Sequence, residues 1–282
     1  MNTIKPYLLP ILCIGSFIVC FYPGLKVLVF KWSLSEDYTH AYFVVPIIVY
    51  MIWEKRDVLN RYNSSVLGLI LVLLSIGAYI ISLQIRVPAV MILTTIGFAI
   101  SCLIYIGGIN ILKDLFIPIL LLIFIIPIPL QILTILTGKL QLWVSDISTN
   151  IIHLLSIPLY QEGNVLHLAE RSFQVVDACS GIRSLIAMTT LSLIMGYYTL
   201  IRKRLMAMLF IFSIPVAIVV NLIRVSSMVI VFHYFKIDLI RGNPHTIAGS
   251  LLFALGFIFL FAFQRMLERW SFRKKTDCFV YA

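Results

Sequence analysis

The chain has 282 residues, of which 61% are hydrophobic and only 12% carry a charge. A soluble domain carries about 25% charged residues because its surface must stay hydrated, so this composition excludes a water-soluble globular protein. The net charge of +10 is not gathered on one face with interleaved aromatic residues, which argues against nucleic-acid binding and fits the positive-inside bias of membrane proteins.

Long apolar runs predict an all-α fold, a polytopic integral membrane bundle of about eight transmembrane helices. The first run is interpreted as a retained span, since it lacks a good small-residue cleavage pattern. Pro215 is expected to kink the long seventh span. The predicted spans cover residues 6–24, 40–53, 66–84, 88–107, 112–133, 179–200, 205–235 and 246–264.

The basic residues predict the orientation of the bundle. An even number of spans places both termini on one side of the membrane. With cytoplasmic termini, the inner connections and the tail hold thirteen of the 22 lysines and arginines, whereas the outer connections hold seven. The positive-inside rule therefore favours cytoplasmic termini, with the basic tail at 265–282 on the inner leaflet.

One membrane domain over residues 1–282 is expected, and its longest connection is a small extracytoplasmic segment at about 134–177, between spans five and six. Apolar spacing over 138–156 predicts a helix that lies in the membrane interface. Two alternating stretches, 165–168 and 173–176, predict a hairpin. The segment is interpreted as a substrate platform or lid, or else as a passive cap over the helix ends.

Polar groups within spans are costly and therefore mark candidate sites. Cys179 and Arg183 lie four residues apart at the outer start of the sixth span, hence on one helical face. A thiol at a helix N-terminus beside a guanidinium favours the reactive thiolate. The alternative is a packing patch of small residues that includes Ser180 and Gly181.

Two further sets lie near the same predicted outer face. Arg224, which follows Asn221 in the seventh span, is too deep to be a loop charge. It is either a structural partner of a carboxylate or of helix-end carbonyls, or an oxyanion clamp. His245 opens the eighth span as a helix cap or as a general acid–base. Because the three helices are consecutive, Cys179, Arg224 and His245 form a set suited to nucleophilic acyl transfer.

These motifs resemble those of the exosortase/archaeosortase family, the membrane-embedded cysteine transpeptidases of bacteria and archaea. The resemblance lies in Ala-Cys-Ser-Gly-Ile-Arg-Ser at 178–184, in Asn-Leu-Ile-Arg-Val at 221–225, and in His245 followed by Gly249. These motifs correspond to the Cys, Arg and His that the family is thought to use.

Two earlier landmarks extend the resemblance over most of the chain. Residues 35–40, Ser-Glu-Asp-Tyr-Thr-His, are similar to the family's Asp-Tyr-Ser-His outer motif, although Thr39 replaces the usual serine. Pro-Ile-Pro at 127–129 also fits. Asp37 and His40 are therefore candidates for supporting roles, with interface anchoring as the alternative. The other candidate supporting or substrate-binding residues are Arg183, Ser180 and Asn221.

The resemblance implies a cysteine peptidase or transpeptidase, with Cys179 as nucleophile, Arg224 on the oxyanion and His245 as acid–base. Its substrates would be secreted proteins that end in a short motif (Pro-Glu-Pro in PEP-CTERM proteins), a hydrophobic span and a basic end. The enzyme would cut near the motif, at the periplasmic face of the inner membrane, and pass the acyl group to an acceptor such as a glycan or lipid. In bacteria this process often accompanies exopolysaccharide production.

No metal or organic cofactor is expected, because no metal-like spacing of Cys and His is present and the mechanism needs none. Two other classes of function stay open. A transporter or channel subunit would use Arg183 and Arg224 to bind an anion. A non-catalytic assembly factor for exopolysaccharide export would need none of the three candidate catalytic side chains.

Overall fold

A computed structural model of the chain describes residues 5–59, 64–175, 181–237, 239 and 243–280. The chain divides into two compact units, Met1–Pro129 and Leu130–Ala282. The described residues are predominantly helical, as the composition predicts, with one small sheet in the second unit.

The first unit is built from helices connected by short loops. Its two longest helices, α5 and α6, pair as an antiparallel hairpin, in which the Ser65 N–H donates to the Tyr105 carbonyl (3.0 Å). Pro88 opens α6, where its missing N–H costs no helical hydrogen bond. The helices are α1 (Lys5–Cys20), α2 (Tyr22–Leu34), a 3-10 turn (Glu36–Tyr38), α3 (Ala41–Glu54), α4 (Arg56–Leu59), α5 (Val66–Ile85), α6 (Pro88–Gly107), α7 (Ile111–Asp114) and α8 (Phe116–Ile125).

The predicted span at 112–133 is not one continuous helix. Helix α8 ends at Ile125, and Ile126 is extended at φ −77° and ψ 120°. Pro127 explains the break, because a proline disfavours the helical conformation in the residue that precedes it. The helix that follows begins only after Pro129.

The described residues of the second unit form four helices and a three-stranded antiparallel sheet in the order β1-β2-β3. Strands β2 and β3 pair Leu166 with Phe173, which confirms the hairpin predicted from alternating residues. Strand β1 was not predicted. The elements are α9 (Leu130–Leu154), β1 (Tyr160–Glu162), β2 (Val165–His167), β3 (Ser172–Gln174), α10 (Ile182–Thr199), α11 (Lys203–Phe235) and α12 (Asn243–Val280).

One face of the sheet packs into the core of the second unit. Leu166 and Phe173 are buried in the same apolar cluster as Ile152 of α9 and as Val225 and Val229 of α11. The alternating pattern of the strands thus buries one side and leaves Ser172 and other polar residues outside. The sheet is fixed to helices that also carry candidate site residues.

Four helices among the described residues are long and apolar enough to cross a membrane. The count is five if the broken pair of α8 and α9 forms one span. The structure therefore supports a helical membrane bundle, and the count of eight spans stays a prediction. The four helical segments are Val66–Ile85, Pro88–Gly107, Lys203–Phe235 and Ile247–Ser271.

Candidate functional site

Helix α11 carries two of the predicted site residues on one side. Asn221 and Arg224 are three positions apart and therefore neighbours on the helix surface. Asn221 is buried and Arg224 is half-buried. Because α11 packs against both α10 and α12, it is the element that connects the segments bearing the other two motifs.

The Asn221 side chain packs against the backbone at the start of α10. Gly181 precedes that helix in the left-handed conformation, with φ 68° and ψ −24°. A Cβ at position 181 would lie 2.8 Å from Asn221 Nδ2 and 2.9 Å from Leu140 Cδ2. Glycine is therefore required at position 181 for two reasons: the backbone is in the left-handed conformation, and a side chain would have no space.

Cys179 and Ser180, the predicted nucleophile and its neighbour, lie outside the described residues. Both immediately precede Gly181 in the chain, so Asn221 packs where the cysteine motif enters α10. Arg183 lies in the first turn of α10 and is half-buried. The Ser184 hydroxyl closes this turn by donating to the Gly181 carbonyl (2.9 Å).

The guanidinium of Arg224 packs against the backbone of α12. A Cβ at Gly249 would lie 2.9 Å from Arg224 Nη2 and 3.2 Å from its Cζ. His245 precedes Gly249 by one helical turn, so positions 245 and 249 share a face of α12. The His245 side chain lies outside the described residues. Arg224 thus contacts α12 at Gly249, one helical turn after the position of His245.

Sequence reasoning missed a row of buried hydroxyls beside this site. Ser145 and Ser148 of α9 are fully buried, and Ser226 of α11 is nearly so. Among the described residues, none of the three hydroxyl oxygens has a hydrogen-bond partner. The signal in the sequence is Ser145 and Thr149, which are both buried and lie four positions apart on α9, since small residues at that spacing let two membrane helices approach closely.

Within the first unit, Trp32 and residues of the motif at 35–40 form hydrogen bonds with the end of α8 and the residues that follow it. The Ile128 N–H donates to the Tyr38 hydroxyl (2.8 Å), and the Trp32 indole N–H donates to the Ile125 carbonyl (2.8 Å). His40 Nδ1 lies 3.0 Å from the Asp37 carbonyl oxygen, and its Nε2 lies 3.2 Å from that of Phe124. The segments at 35–40 and 127–129, which are far apart in the chain, are therefore in direct contact.

His40 lies just before α3 and is half-buried. Both ring nitrogens already face backbone carbonyls. This arrangement favours the anchoring role for His40 over a role in proton transfer.

Charged and aromatic side chains attach the sheet to the end of α11. The Arg171 guanidinium lies over the rings of Phe173 (5.6 Å) and Phe232 (5.4 Å). Lys236, which follows α11, forms an ion pair with Glu170 at 2.6 Å. The ion pair is half-exposed and stabilises little, so the stacked arginine and the apolar face provide most of the attachment.

No group of three or more His, Cys, Asp or Glu side chains in the described part of the chain is arranged to hold a metal ion. Cys13 and Cys20 are exposed free thiols, and Cys102 is a half-buried free thiol.

Comparison with protein families matches residues 32–262, well over half of the chain, to the family described as transmembrane exosortase (Exosortase_EpsH). The matched region contains the landmark at 35–40 and all three polar motifs. No curated protein and no solved structure matches the chain.

Proposed function

Because this chain belongs to the transmembrane exosortase family, we propose that it is a cysteine peptidase and transpeptidase that processes the C-terminal sorting signal of secreted proteins. The observation that supports this activity best is the position of α11. Its Asn221 packs on Gly181, which lies within the cysteine motif two residues after Cys179, and its Arg224 packs on Gly249, one turn after His245. One helix face thus connects the three motifs that nucleophilic acyl transfer needs.

In the proposed reaction, His245 takes the proton of the Cys179 thiol, and the thiolate attacks the carbonyl carbon of a peptide bond in the sorting signal. Arg224 stabilises the negative charge on the tetrahedral oxygen. The C–N bond then breaks, His245 gives a proton to the leaving amine, and a thioester to Cys179 remains. An acceptor nucleophile, proposed to be a glycan or lipid, attacks the thioester and releases the thiol.

The supporting roles follow from the contacts. Asn221 holds the backbone at Gly181 and so orients the entry to α10. Arg183, in the first turn of α10, lies close enough in sequence to favour the thiolate of Cys179. Ser180 is proposed to line the substrate site, and Asp37 and His40 to anchor the first unit.

The proposed setting is the bacterial inner membrane. The apolar runs support eight spans, and the charge distribution supports cytoplasmic termini and hence a site that faces the periplasm. In this arrangement the whole chain acts as one membrane domain, and the segment at 134–177 lies outside the cytoplasm beside the site.

Co-expression with a reporter tests this proposal. The reporter is a secreted protein that ends in a Pro-Glu-Pro motif, a hydrophobic span and a basic end. Wild type and Cys20→Ala, a control at an exposed cysteine, are expected to shorten the reporter, as seen by gel shift and mass spectrometry. Cys179→Ala is expected to leave it intact. Equal processing by Cys179→Ala would remove the cysteine from the chemistry and favour the transporter or assembly-factor classes.

A further inference from the structure

Strand β3 is an edge strand. In the sheet order β1-β2-β3 it pairs with β2 on one side, and among the described residues no strand pairs with its other side. An open strand edge is a surface on which an extended peptide can form backbone hydrogen bonds. The strand ends at Gln174, five residues before Cys179 in the chain.

The hydrogen-bond pattern shows which groups of β3 face the open side. The Val175 N–H donates to the Asn164 carbonyl (2.8 Å), and the Leu168 N–H donates to the Arg171 carbonyl (2.8 Å). In an antiparallel pair, bonded and non-bonded residue pairs alternate. The backbone N–H and C=O groups of Ser172 and Gln174 therefore point away from β2.

The side chains of β3 alternate between the two faces of the sheet. Ser172 and Gln174 are exposed, whereas Phe173 between them is buried against the helices. The Phe173 ring meets Phe232 of α11 edge-on, with ring centroids 5.1 Å apart. The open edge is thus fixed to the helix that carries Arg224. Along the axis of this helix, Arg224 lies eight residues, or about 12 Å, from Phe232.

We propose that this edge binds the substrate: an extended segment of the secreted protein, next to its cleavage site, adds to β3 as a fourth strand. Ser172 and Gln174 offer two N–H donors and two C=O acceptors, so up to four backbone hydrogen bonds form. The inference rests on the proposed function, because it takes Cys179 as the nucleophile.

The partner is an extended peptide rather than a helix. A helical segment satisfies its own backbone groups and has none to give to a strand edge. The hydrophobic span of the substrate, which is helical in the bilayer, is therefore not the part that pairs. The polar residues before that span remain extended and pair with β3. Because backbone hydrogen bonds do not depend on the sequence of the peptide, specificity for the substrate comes from the peptide side chains that alternate along the added strand.

Disulfide trapping tests the proposal in the full-length protein, in membranes. Each variant carries Cys179→Ala, which keeps the substrate intact, together with Gln174→Cys or Ser172→Cys. The probe is the Pro-Glu-Pro reporter with single cysteines placed at successive positions before its hydrophobic span. The control is Tyr160→Cys, at an exposed position on the opposite edge strand of the same sheet.

The proposal predicts that cross-links from position 174 peak at one reporter position, with weaker cross-links two positions to either side, because strand side chains alternate. Moving the enzyme cysteine from 174 to 172 is expected to shift this peak by two reporter positions. Tyr160→Cys is expected to give only background. Absence of cross-links from 174 and 172, equal cross-links at consecutive reporter positions, or equal yield from Tyr160→Cys would each overturn strand addition.

Failure of this inference is distinct from failure of the proposed function. If wild type processes the reporter and Cys179→Ala does not, while trapping fails, strand addition is wrong and the cysteine mechanism stands. If Cys179→Ala processes the reporter as wild type does, the proposed function is wrong, whatever the cross-linking pattern.

Discussion

Replacing Gly181 by alanine tests the contact that orders the entry to α10. A non-glycine residue in the left-handed conformation costs about 1–2 kcal/mol. The new Cβ would also lie 2.8 Å from Asn221 Nδ2 and 2.9 Å from Leu140 Cδ2. Overpacking of this kind costs about 1–3 kcal/mol. Alanine offsets part of the sum, about 0.4–1 kcal/mol, by restricting the unfolded chain. The expected net loss is roughly 1–4.5 kcal/mol.

Equilibrium unfolding of the purified protein in detergent measures this loss. Gly138→Ala is the matched control, since a Cβ there meets no atom within 4 Å and position 138 lies inside α9. That control is expected to gain about 0.5–1 kcal/mol. In an Asn221→Ala background, Gly181→Ala is expected to cost about 1 kcal/mol less, because one of the two close contacts is gone.

The result that would refute this reasoning is a Gly181→Ala variant as stable as Gly138→Ala. It would mean that position 181 tolerates a side chain, and that Asn221 does not press on the entry to α10. A loss of stability that is unchanged in the Asn221→Ala background would refute the contact alone and leave the backbone conformation as the cause.

Two single contacts give further predictions. Gly249→Ala places a Cβ 2.9 Å from Arg224 Nη2. The flexible arginine is expected to move, so reporter processing falls by about 10²-fold while stability changes little. Unchanged processing would contradict this. Phe173→Ala is expected to lower the free energy of unfolding by about 3–5 kcal/mol in the same assay, because the Phe173 ring is buried between the sheet and α11. A loss below about 1 kcal/mol would show that the sheet is not fixed to α11 at this residue.

Local patterns in the sequence were enough for part of this fold. The apolar runs predict the long helices α5, α6 and α11, and alternation predicts the β2–β3 hairpin. Strand β1 was missed because Tyr-Gln-Glu at 160–162 has no apolar alternation of its own and is ordered by pairing with β2. The break after Ile125 was missed because apolar residues continue across it, although Pro127 carries the signal.

The long-range contacts of the site have no counterpart in any local pattern. Nothing in the sequence alone states that Arg224 meets Gly249, or that Asn221 meets Gly181, since each pair is formed by packing between helices. The same holds for Tyr38 and Ile128, which are 90 residues apart. A motif identifies which residue types are present, whereas the packing of α11 determines which of them meet.

The most direct test of the central claim is detection of the thioester at Cys179. Wild-type membranes are mixed with the reporter, quenched in acid and analysed by mass spectrometry, with and without hydroxylamine, which cleaves thioesters. We expect the peptide that contains Cys179 to carry the reporter's new C-terminal acyl group and to lose it in hydroxylamine. Reporter shortening without any such adduct, and at the same rate in Cys179→Ala, would contradict the account.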